Sequence, residues 1–296
     1  MARRAADPLG CALPRCAPLL RRLSLPCGLE YPARRVERGT GLMLPYFVQS
    51  PLLRSVPGFY HAFVGVDPVR GRTSRDQLRE VFAVPSSRVG TLRQVHSAVA
   101  LEMEETDGEV SGRRWRKGDA LWTAAPGTGV GVRTADCVPV LLAHSRLPVC
   151  AAIHAGWRGM AAGVPGETVR CIAARVGPGA VDGLVAAAGP SARGCCYEVG
   201  EEVAETLRMC PGGERRLVKG KGAGKWNADL QSFAVEGLLS AGLSRGRVEA
   251  VGPCTVCSPR FHSYRREKSL TGRQLSFIYR WDIADAVTYL PGQDTR

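Results

Sequence analysis

The chain has 296 residues, and its 40 Lys and Arg against 27 Asp and Glu give a net charge of +13. A composition that is 45% hydrophobic and 23% charged is typical of a globular protein with a sizeable core, and excludes a chain that is disordered throughout. No uninterrupted apolar run approaches the roughly 18 residues of a membrane-spanning helix, so no membrane partner is expected.

The first 41 residues differ in composition from the rest of the chain. Eight Arg residues there stand against three acidic residues, and several Pro residues interrupt any helix. An Arg-rich, acid-poor leader is also a feature of organellar transit peptides. The density of Pro favours a disordered extension over residues 1–41, followed by a single folded domain over residues 42–296.

The eleven cysteines are an odd number, scattered through a chain of moderate length. Disulfide frameworks are typical of short secreted chains with an even number of cysteines. We therefore predict that most of these cysteines are reduced, and that the protein is cytoplasmic.

The predicted elements mix strands and helices without an even βαβ alternation. Short apolar runs bounded by Gly, Pro or Asp predict strands, and apolar residues at helical spacing predict helices. In chain order the predictions are a helix at Ser74–Phe82, strands at Val130–Thr134, Val138–Leu142 and Val149–Ile153, a helix at Glu167–Val176, a strand at Asp182–Ala188, helices at Glu201–Met209 and Asp229–Leu239, and strands at Arg247–Val251 and Gln274–Tyr279. This order indicates an α+β fold with a mixed sheet.

The basic excess beyond residue 41 lies mainly in three clusters, at 113–117, 214–225 and 260–273. No helix-turn-helix, zinc-finger or RNP pattern accompanies them. We interpret them as solvated loops, the Gly- and Lys-rich cluster at 214–225 above all, and expect no nucleic-acid partner.

Polar residues concentrate at the ends of apolar strands between residues 94 and 157, where rigid strands aim side chains into the adjoining loops. His96, Cys137 and His154 are the most informative of them. Two imidazoles and a thiolate suit Zn²⁺, with a fourth position left for water or substrate. Two alternatives stay open: three unrelated residues with local partners, or a Cys137 nucleophile with His96 or His154 as its base.

Copper is the competing metal, because two His and one Cys also describe blue-copper sites. Met160 is the only nearby candidate for the weak axial ligand. A multicopper oxidase needs more imidazoles than the five His of this chain can supply. Zinc is therefore the preferred metal.

A second arrangement is reminiscent of zinc nucleobase deaminases, which place a zinc ligand two residues before a catalytic Glu and a later Pro-Cys-x-x-Cys. On that interpretation Cys196, Cys254 and Cys257 bind zinc and Glu198 moves protons. Pro259 follows Cys257 too closely for the helix that would present these thiols, which argues against a deaminase fold.

The residues that follow His154 suit an anion. Gly156, Arg158 and further glycines precede the predicted helix at Glu167–Val176, and backbone N–H groups in such a turn bind phosphate. Arg158 could add a charge-assisted fork, and the neighbouring Arg265 and Arg266 offer another.

These segments resemble the YfiH-like, laccase-domain family, formerly called polyphenol oxidases and now described as purine nucleoside phosphorylases with adenosine deaminase and methylthioadenosine phosphorylase activities. The matching stretches lie between about Arg93 and Gln274, and residues 1–41 match nothing in the family. In order, they are RQVHS, GDALWT, PGTGVGVRTADCVPVLL, AAIHAGWRG, GPSARGCCYEVG, CT and FHSYRRE with TGRQ.

The resemblance implies a single zinc held by His96, Cys137 and His154. It also implies an α+β fold of layered mixed β-sheets flanked by helices, related to CNF-type deamidating toxins with a Cys–His site. The expected activity is zinc-dependent phosphorolysis of adenosine, inosine, guanosine or methylthioadenosine, with a possible adenosine deaminase activity. The expected partners are therefore a purine nucleoside and phosphate.

For this activity Arg158 and Arg265 are the candidates for binding phosphate or transition-state charge. Asp136 is a candidate for orienting a ligand histidine or assisting proton transfer. Two alternative functions remain: a hydrolase or amidase with Cys137 as nucleophile, and a non-catalytic zinc protein. The sequence does not indicate the oligomeric state.

Overall fold

The computed structural model describes residues 43–103, 116–268 and 272–282. The predicted N-terminal extension lies outside these residues. The strands are β1 Phe47–Val48, β2 Phe59–Val64, β3 Val89–Gly90, β4 Ala100–Glu102, β5 Ala120–Thr123, β6 Gly129–Thr134, β7 Val138–His144, β8 Cys150–Ala155, β9 Leu184–Ala188, β10 Glu198–Gly200, β11 Leu217–Lys219, β12 Lys225–Ala228, β13 Val248–Ala250 and β14 Gln274–Arg280. The α-helices are α1 Pro51–Arg54, α2 Ser74–Asp76, α3 Trp157–Ala161, α4 Val164–Val176, α5 Glu201–Arg208, α6 Leu230–Ser240 and α7 Tyr264–Glu267.

A six-stranded mixed sheet lies at the centre, in the order β13-β9-β7-β8-β5-β4. Its four inner strands pair antiparallel, whereas β13 and β4 join the two edges in parallel. Every residue of β7 and β8 is buried. Both faces of this sheet are therefore covered, which explains why these strands are continuous apolar runs in the sequence.

Each face of the central sheet packs against a different layer. One face packs against a five-stranded sheet of order β1-β2-β14-β6-β3, through residues such as Leu141 and Ala152 against Phe63 and Ile278. The other face, with Val140 among its residues, packs against the apolar sides of α4 and α6. Because successive strand residues point to opposite faces, β7 contributes to both cores.

The layered mixed sheets flanked by helices confirm the predicted α+β class. All four predicted helices and all six predicted strands correspond to observed elements, with boundaries that differ by a few residues. Two of them differ in detail: residues 77–81 of the first predicted helix continue α2 as a π-helix, and the first two residues of the strand predicted at Asp182–Ala188 belong to a 3-10 helix in front of β9.

The cluster at 214–225 is not simply a solvated loop. It contains a short 3-10 helix, β11 and the beginning of β12. Strand β12 is the centre of a three-stranded antiparallel sheet and pairs with β10 on one side and β11 on the other. Its basic side chains are exposed or half-buried, as expected for a solvated surface. Among the described residues, no helix has the length and apolar character to cross a membrane.

Candidate metal centre

The predicted ligands meet because the ends of several inner strands lie together at one end of the central sheet, which we call the site edge. Val138 at the beginning of β7 pairs with Ala155 at the end of β8, and Ala120 at the beginning of β5 pairs with Ile153. Cys137 directly precedes β7 and His154 is the next-to-last residue of β8. The antiparallel order of β5, β8 and β7 therefore brings both ligands to the site edge.

His96, Cys137 and His154 form one cluster, in which the potential ligand atoms all lie within 4.8 Å of one another. The Cys137 Sγ atom is 3.9 Å from His96 Nε2, and the two imidazole rings meet edge to face with centroids 4.8 Å apart. His154 is buried, Cys137 is half-buried and His96 is exposed. One side of the cluster is thus open to solvent.

Asp119, just before β5, holds this cluster in place through hydrogen bonds on its buried side. Its fully buried carboxylate accepts a hydrogen bond of 2.8 Å from His154 Nδ1 and others from the backbone N–H groups of Val95, His96 and Ser97. The bond to Nδ1 leaves Nε2 of His154 as the ring atom for a ligand, the arrangement usual for metal-binding histidines. Sequence reasoning assigned no role to Asp119, although an Asp directly before a buried strand is a signal for one.

Backbone geometry also adapts to the cluster. His96 has a φ of 60°, in the left-handed region that non-glycine residues seldom adopt. A Cβ atom on Gly156 would lie 3.0 Å from both Cys137 Sγ and His96 Cδ2. The glycine after β8 therefore lets the backbone approach the two ligands closely.

The surroundings of the cluster favour a thiolate. Burial raises the pKa of the Cys137 thiol, but its hydrogen bonds with His154 and His96 outweigh burial and bring the pKa down to about 6. Burial lowers the pKa of His154, but hydrogen bonds with Asp119 and Cys137 raise it to about 9. A thiolate is the form of cysteine that binds a metal ion.

This donor set fits a metal ion. Three ligand atoms of nitrogen and sulfur converge, one imidazole is oriented by a carboxylate, and one side remains open. Catalytic zinc sites have the same three-ligand composition with an open position. The argument for zinc over a multicopper centre is the scarcity of histidines, of which the chain has five.

Asp136 lies beside the cluster but orients neither histidine. Its carboxylate accepts hydrogen bonds from Thr255 Oγ1 at 2.7 Å and from the backbone N–H of Arg265 at 2.6 Å. The predicted task of orienting a ligand histidine falls to Asp119 instead, because Asp119 is the carboxylate bonded to His154. The proton-transfer role of Asp136 stays a prediction.

The three arginines predicted to bind an anion make different contacts in the structure. Arg158, exposed on α3, has its guanidinium 4.3 Å from the centre of the Trp157 ring. Arg265 lies 4.9 Å above the ring of Tyr197. Arg266 instead donates to the backbone carbonyls of residues 255, 256, 258 and 261, so its guanidinium organises a loop. The predicted Arg265–Arg266 fork therefore does not form.

The turn predicted to bind phosphate also differs from its expected structure. The helix expected from Glu167 begins at Val164, and α3 is inserted directly after Gly156.

Three of the residues of the deaminase-like arrangement meet elsewhere at the site edge. Cys196, Cys254 and Cys257 cluster with Cys195, which sequence reasoning overlooked. Residues 254–257 form a turn rather than a helix, as the position of Pro259 predicted. Glu198 begins β10 as an exposed residue paired with Asn227. The helical presentation typical of deaminase thiols is therefore not present at these residues.

Comparisons with known proteins agree with this architecture. The family model described as multi-copper polyphenol oxidoreductase laccase matches residues 61–281. Purine nucleoside phosphorylase YfiH of Shigella flexneri is 34% identical over 219 residues, which are 74% of this chain and 84% of that protein. Adenosine deaminase RL5, from an unknown prokaryotic organism, is 33% identical over 229 residues, covering 74% of this chain and 85% of that protein.

A solved structure shows the same fold. The crystal structure of YlmD from Geobacillus stearothermophilus matches with a TM-score of 0.70 and 26% identity, over 79% of this chain and 94% of that chain. The family model covers well over half of the chain, and its range includes His96, Cys137 and His154. The chain therefore belongs to the YfiH-like, laccase-domain family.

Proposed function

We propose that the chain is a zinc-dependent purine nucleoside phosphorylase that acts on adenosine, and also on inosine, guanosine or methylthioadenosine. Hydrolytic loss of the adenosine amino group is proposed as a side activity. The observation that carries the proposal is the convergence of His96, Cys137 and His154 at the open site edge. The names of its relatives, purine nucleoside phosphorylase and adenosine deaminase, support the choice of reaction.

Phosphorolysis forms a bond between a phosphate oxygen and the anomeric carbon of the ribose, and breaks the bond from that carbon to the purine. The purine leaves with the bonding electron pair and takes up a proton, giving free base and ribose 1-phosphate. His96, Cys137 and His154 would hold the zinc ion, which when bound supplies Lewis acidity toward an oxygen. Positive charge for the phosphate would come from Arg158 and Arg265.

The two arginines are suited to this role by their surroundings. Among the described residues, neither guanidinium forms an ion pair with a carboxylate, so neither positive charge is neutralised by a salt bridge. Stacking on Trp157 and on Tyr197 limits how far each side chain can move. Asp136, bonded to the backbone of Arg265, is proposed to assist proton transfer beside the ribose.

The proposed partners are thus a nucleoside and phosphate, with no nucleic acid, and the proposed location is the cytoplasm. The proposed catalytic domain, residues 42–296, includes the range of the family match.

The test is a product assay for free base and ribose 1-phosphate, combined with metal quantification. In Cys137→Ala and His154→Ala we expect bound zinc at this site and turnover to be lost together. Cys210→Ala, which changes a half-buried cysteine outside both cysteine-containing clusters, is the matched control and should retain both. Turnover that persists after the metal is removed would contradict the proposal.

A cysteine hydrolase or amidase is the second candidate. The observation that favours it is the series Cys137, His154 and Asp119, in which a thiol of lowered pKa lies beside an imidazole oriented by a carboxylate. This is the order of a nucleophile, its base and the group that orients the base. An amidase activity that survives chelation but not alkylation of Cys137 would identify it.

A further inference from the structure

A second group of metal-ligand side chains lies outside the His96–Cys137–His154 cluster. Cys195 and Cys196 lie in the loop that follows β9, and Cys254 and Cys257 lie in the loop that follows β13. The Sγ atoms of all four lie within 4.8 Å of one another. The Cys257 Sγ atom is 3.1 Å from that of Cys196 and 3.5 Å from that of Cys195.

These separations suit a tetrahedral metal ion. Zn–S bonds of about 2.3 Å in a tetrahedron place the sulfur atoms about 3.8 Å apart. The sulfur atoms of a disulfide are about 2.0 Å apart, and none of the four cysteines forms one here. The spacing Cys254-Thr-Val-Cys257 is also that of one half of a structural zinc site.

The backbone around Cys254 suits a thiolate ligand. The backbone N–H groups of Cys257, Arg193 and Val256 donate hydrogen bonds to its sulfur atom. Two of these donors come from the Cys254–Cys257 turn itself, and the third comes from the opposite loop. Both loops therefore direct N–H groups at one sulfur atom, as second-shell donors do at metal sites.

The two loops are also connected to the first cluster. Thr255, between the two cysteines of its turn, donates to Asp136, and the N–H of Ala192 donates to the carbonyl of Asp136. The N–H of Thr255 in turn donates to the carbonyl of Ser191, which joins the loops to each other. Asp136 precedes Cys137, so the position of the loops affects the position of that ligand.

We propose that Cys195, Cys196, Cys254 and Cys257 bind a second zinc ion in a closed, structural site that joins the loop after β9 to the loop after β13. With four protein ligands, this site has no open position and takes no part in catalysis. Its function is to hold Thr255 and Ala192 against Asp136. The proposal does not depend on the reaction catalysed at the first cluster.

The test begins with the full-length wild-type protein, prepared under reducing conditions, so that no variant has to fold. In wild-type protein whose zinc has been replaced by cadmium, cadmium NMR should show two resonances. One should come from an ion bound by four thiolates and the other from an ion bound by one thiolate and two imidazoles. Zinc quantification should give two ions per chain. Absence of the four-thiolate resonance would overturn the proposal, whereas a four-thiolate resonance alone, with one zinc ion per chain, would contradict the metal site at the first cluster instead.

Variants then assign the second ion. The double substitution Cys195→Ser with Cys257→Ser should halve the zinc content and remove the four-thiolate resonance, while the other resonance persists. His154→Ala should have the opposite effect. The matched control, Cys171→Ser with Cys210→Ser, changes two other half-buried cysteines and should retain both ions.

Oxidation is the competing explanation of the cluster. Alkylation of the denatured, unreduced protein followed by mass spectrometry separates the two explanations. Alkylation at Cys195, Cys196, Cys254 and Cys257 after removal of zinc supports the metal site. A Cys196–Cys257 disulfide in protein kept under reducing conditions contradicts it.

Discussion

One carboxylate, that of Asp119, contacts both histidines of the first cluster, His154 through its ring and His96 through its backbone N–H. In addition to His154 Nδ1 and the three backbone N–H groups, it accepts a hydrogen bond of 2.7 Å from the Ser97 hydroxyl. Burial raises the pKa of this carboxyl, but these hydrogen bonds outweigh burial and hold the pKa well below its usual range. The turn at residues 95–97, with its left-handed His96, is therefore built around one negative charge.

We predict that Asp119→Asn weakens metal binding by about 10- to 100-fold, the usual cost of losing a second-shell partner. An amide keeps the shape of the side chain but has only one acceptor oxygen, so it cannot accept the hydrogen bonds that both carboxylate oxygens accept. Competition with a chromophoric chelator measures the affinity, and thermal unfolding monitors the fold. Asp182→Asn, at an exposed position, is the control and should leave the affinity unchanged. Equal affinities in the two variants would show that Asp119 does not position the ligands.

The contrast between Asp119 and Asp136 shows what a sequence can predict about a site. The sequence predicts His96, Cys137 and His154 as ligands because His and Cys are rare and lie next to buried strands, and the structure brings the three together. Both Asp residues also precede buried strands, and nothing local distinguishes the one that contacts the histidine. Only strand pairing, which brings β5 next to β8, determines that it is Asp119.

At the scale of elements, the loops after β9 and β13 meet at Asp136. Its φ of 85° is in the left-handed region, which for a non-glycine residue costs of the order of 1–3 kcal/mol. Hydrogen bonds from Thr255, from the backbone of Arg265 and from Ala192 to this residue offset the strain. Several loops thus hold the residue before Cys137 in an unfavourable conformation.

We predict that Thr255→Val lowers the free energy of unfolding by about 1–3 kcal/mol, because it leaves an acceptor position on a buried carboxylate without its donor. Turnover should fall as well, because Cys137 follows Asp136. Denaturant unfolding and the phosphorolysis assay measure the two effects. The control Thr206→Val removes a half-buried hydroxyl on α5 that donates only to the backbone carbonyl of Glu202, and should change stability by about 0.5 kcal/mol or less. A Thr255→Val protein as stable as this control would contradict the prediction.

The elements themselves were predicted where the apolar pattern is continuous, as in β7, β8 and α4. The prediction failed for the three-stranded sheet of β10, β11 and β12, because Gly and Lys dominate its hairpin and few of its residues are buried. It also overlooked Cys195, whose partners Cys254 and Cys257 lie about 60 positions away in the sequence. Such proximity arises only from the order of strands in the sheet.

At the scale of the whole molecule, stability depends on a histidine that is buried without charge. His61 lies on β2, is 1% exposed, and its Nε2 accepts a hydrogen bond of 2.8 Å from the backbone N–H of Ser50. Burial, with a smaller contribution from Arg54, lowers its pKa to about 4. The neutral ring is thus built into the packing between β2 and the residues in front of α1.

The pKa of His61 predicts how stability depends on pH. An unfolded histidine has a pKa of about 6.5, so between about pH 6.5 and pH 4 the unfolded chain binds more protons than the folded chain. The neutral His61 therefore contributes fully to the free energy of unfolding above pH 6.5. This contribution decreases as the pH falls, by about 3 kcal/mol between pH 6.5 and pH 4. His61→Gln supplies a neutral acceptor for Ser50 and should remove this part of the pH dependence. Urea unfolding at several pH values measures it, with the half-buried His262→Gln as the control that should keep most of the slope. If His61→Gln and wild type lose stability equally between pH 6.5 and pH 4, His61 is not the group that titrates on unfolding.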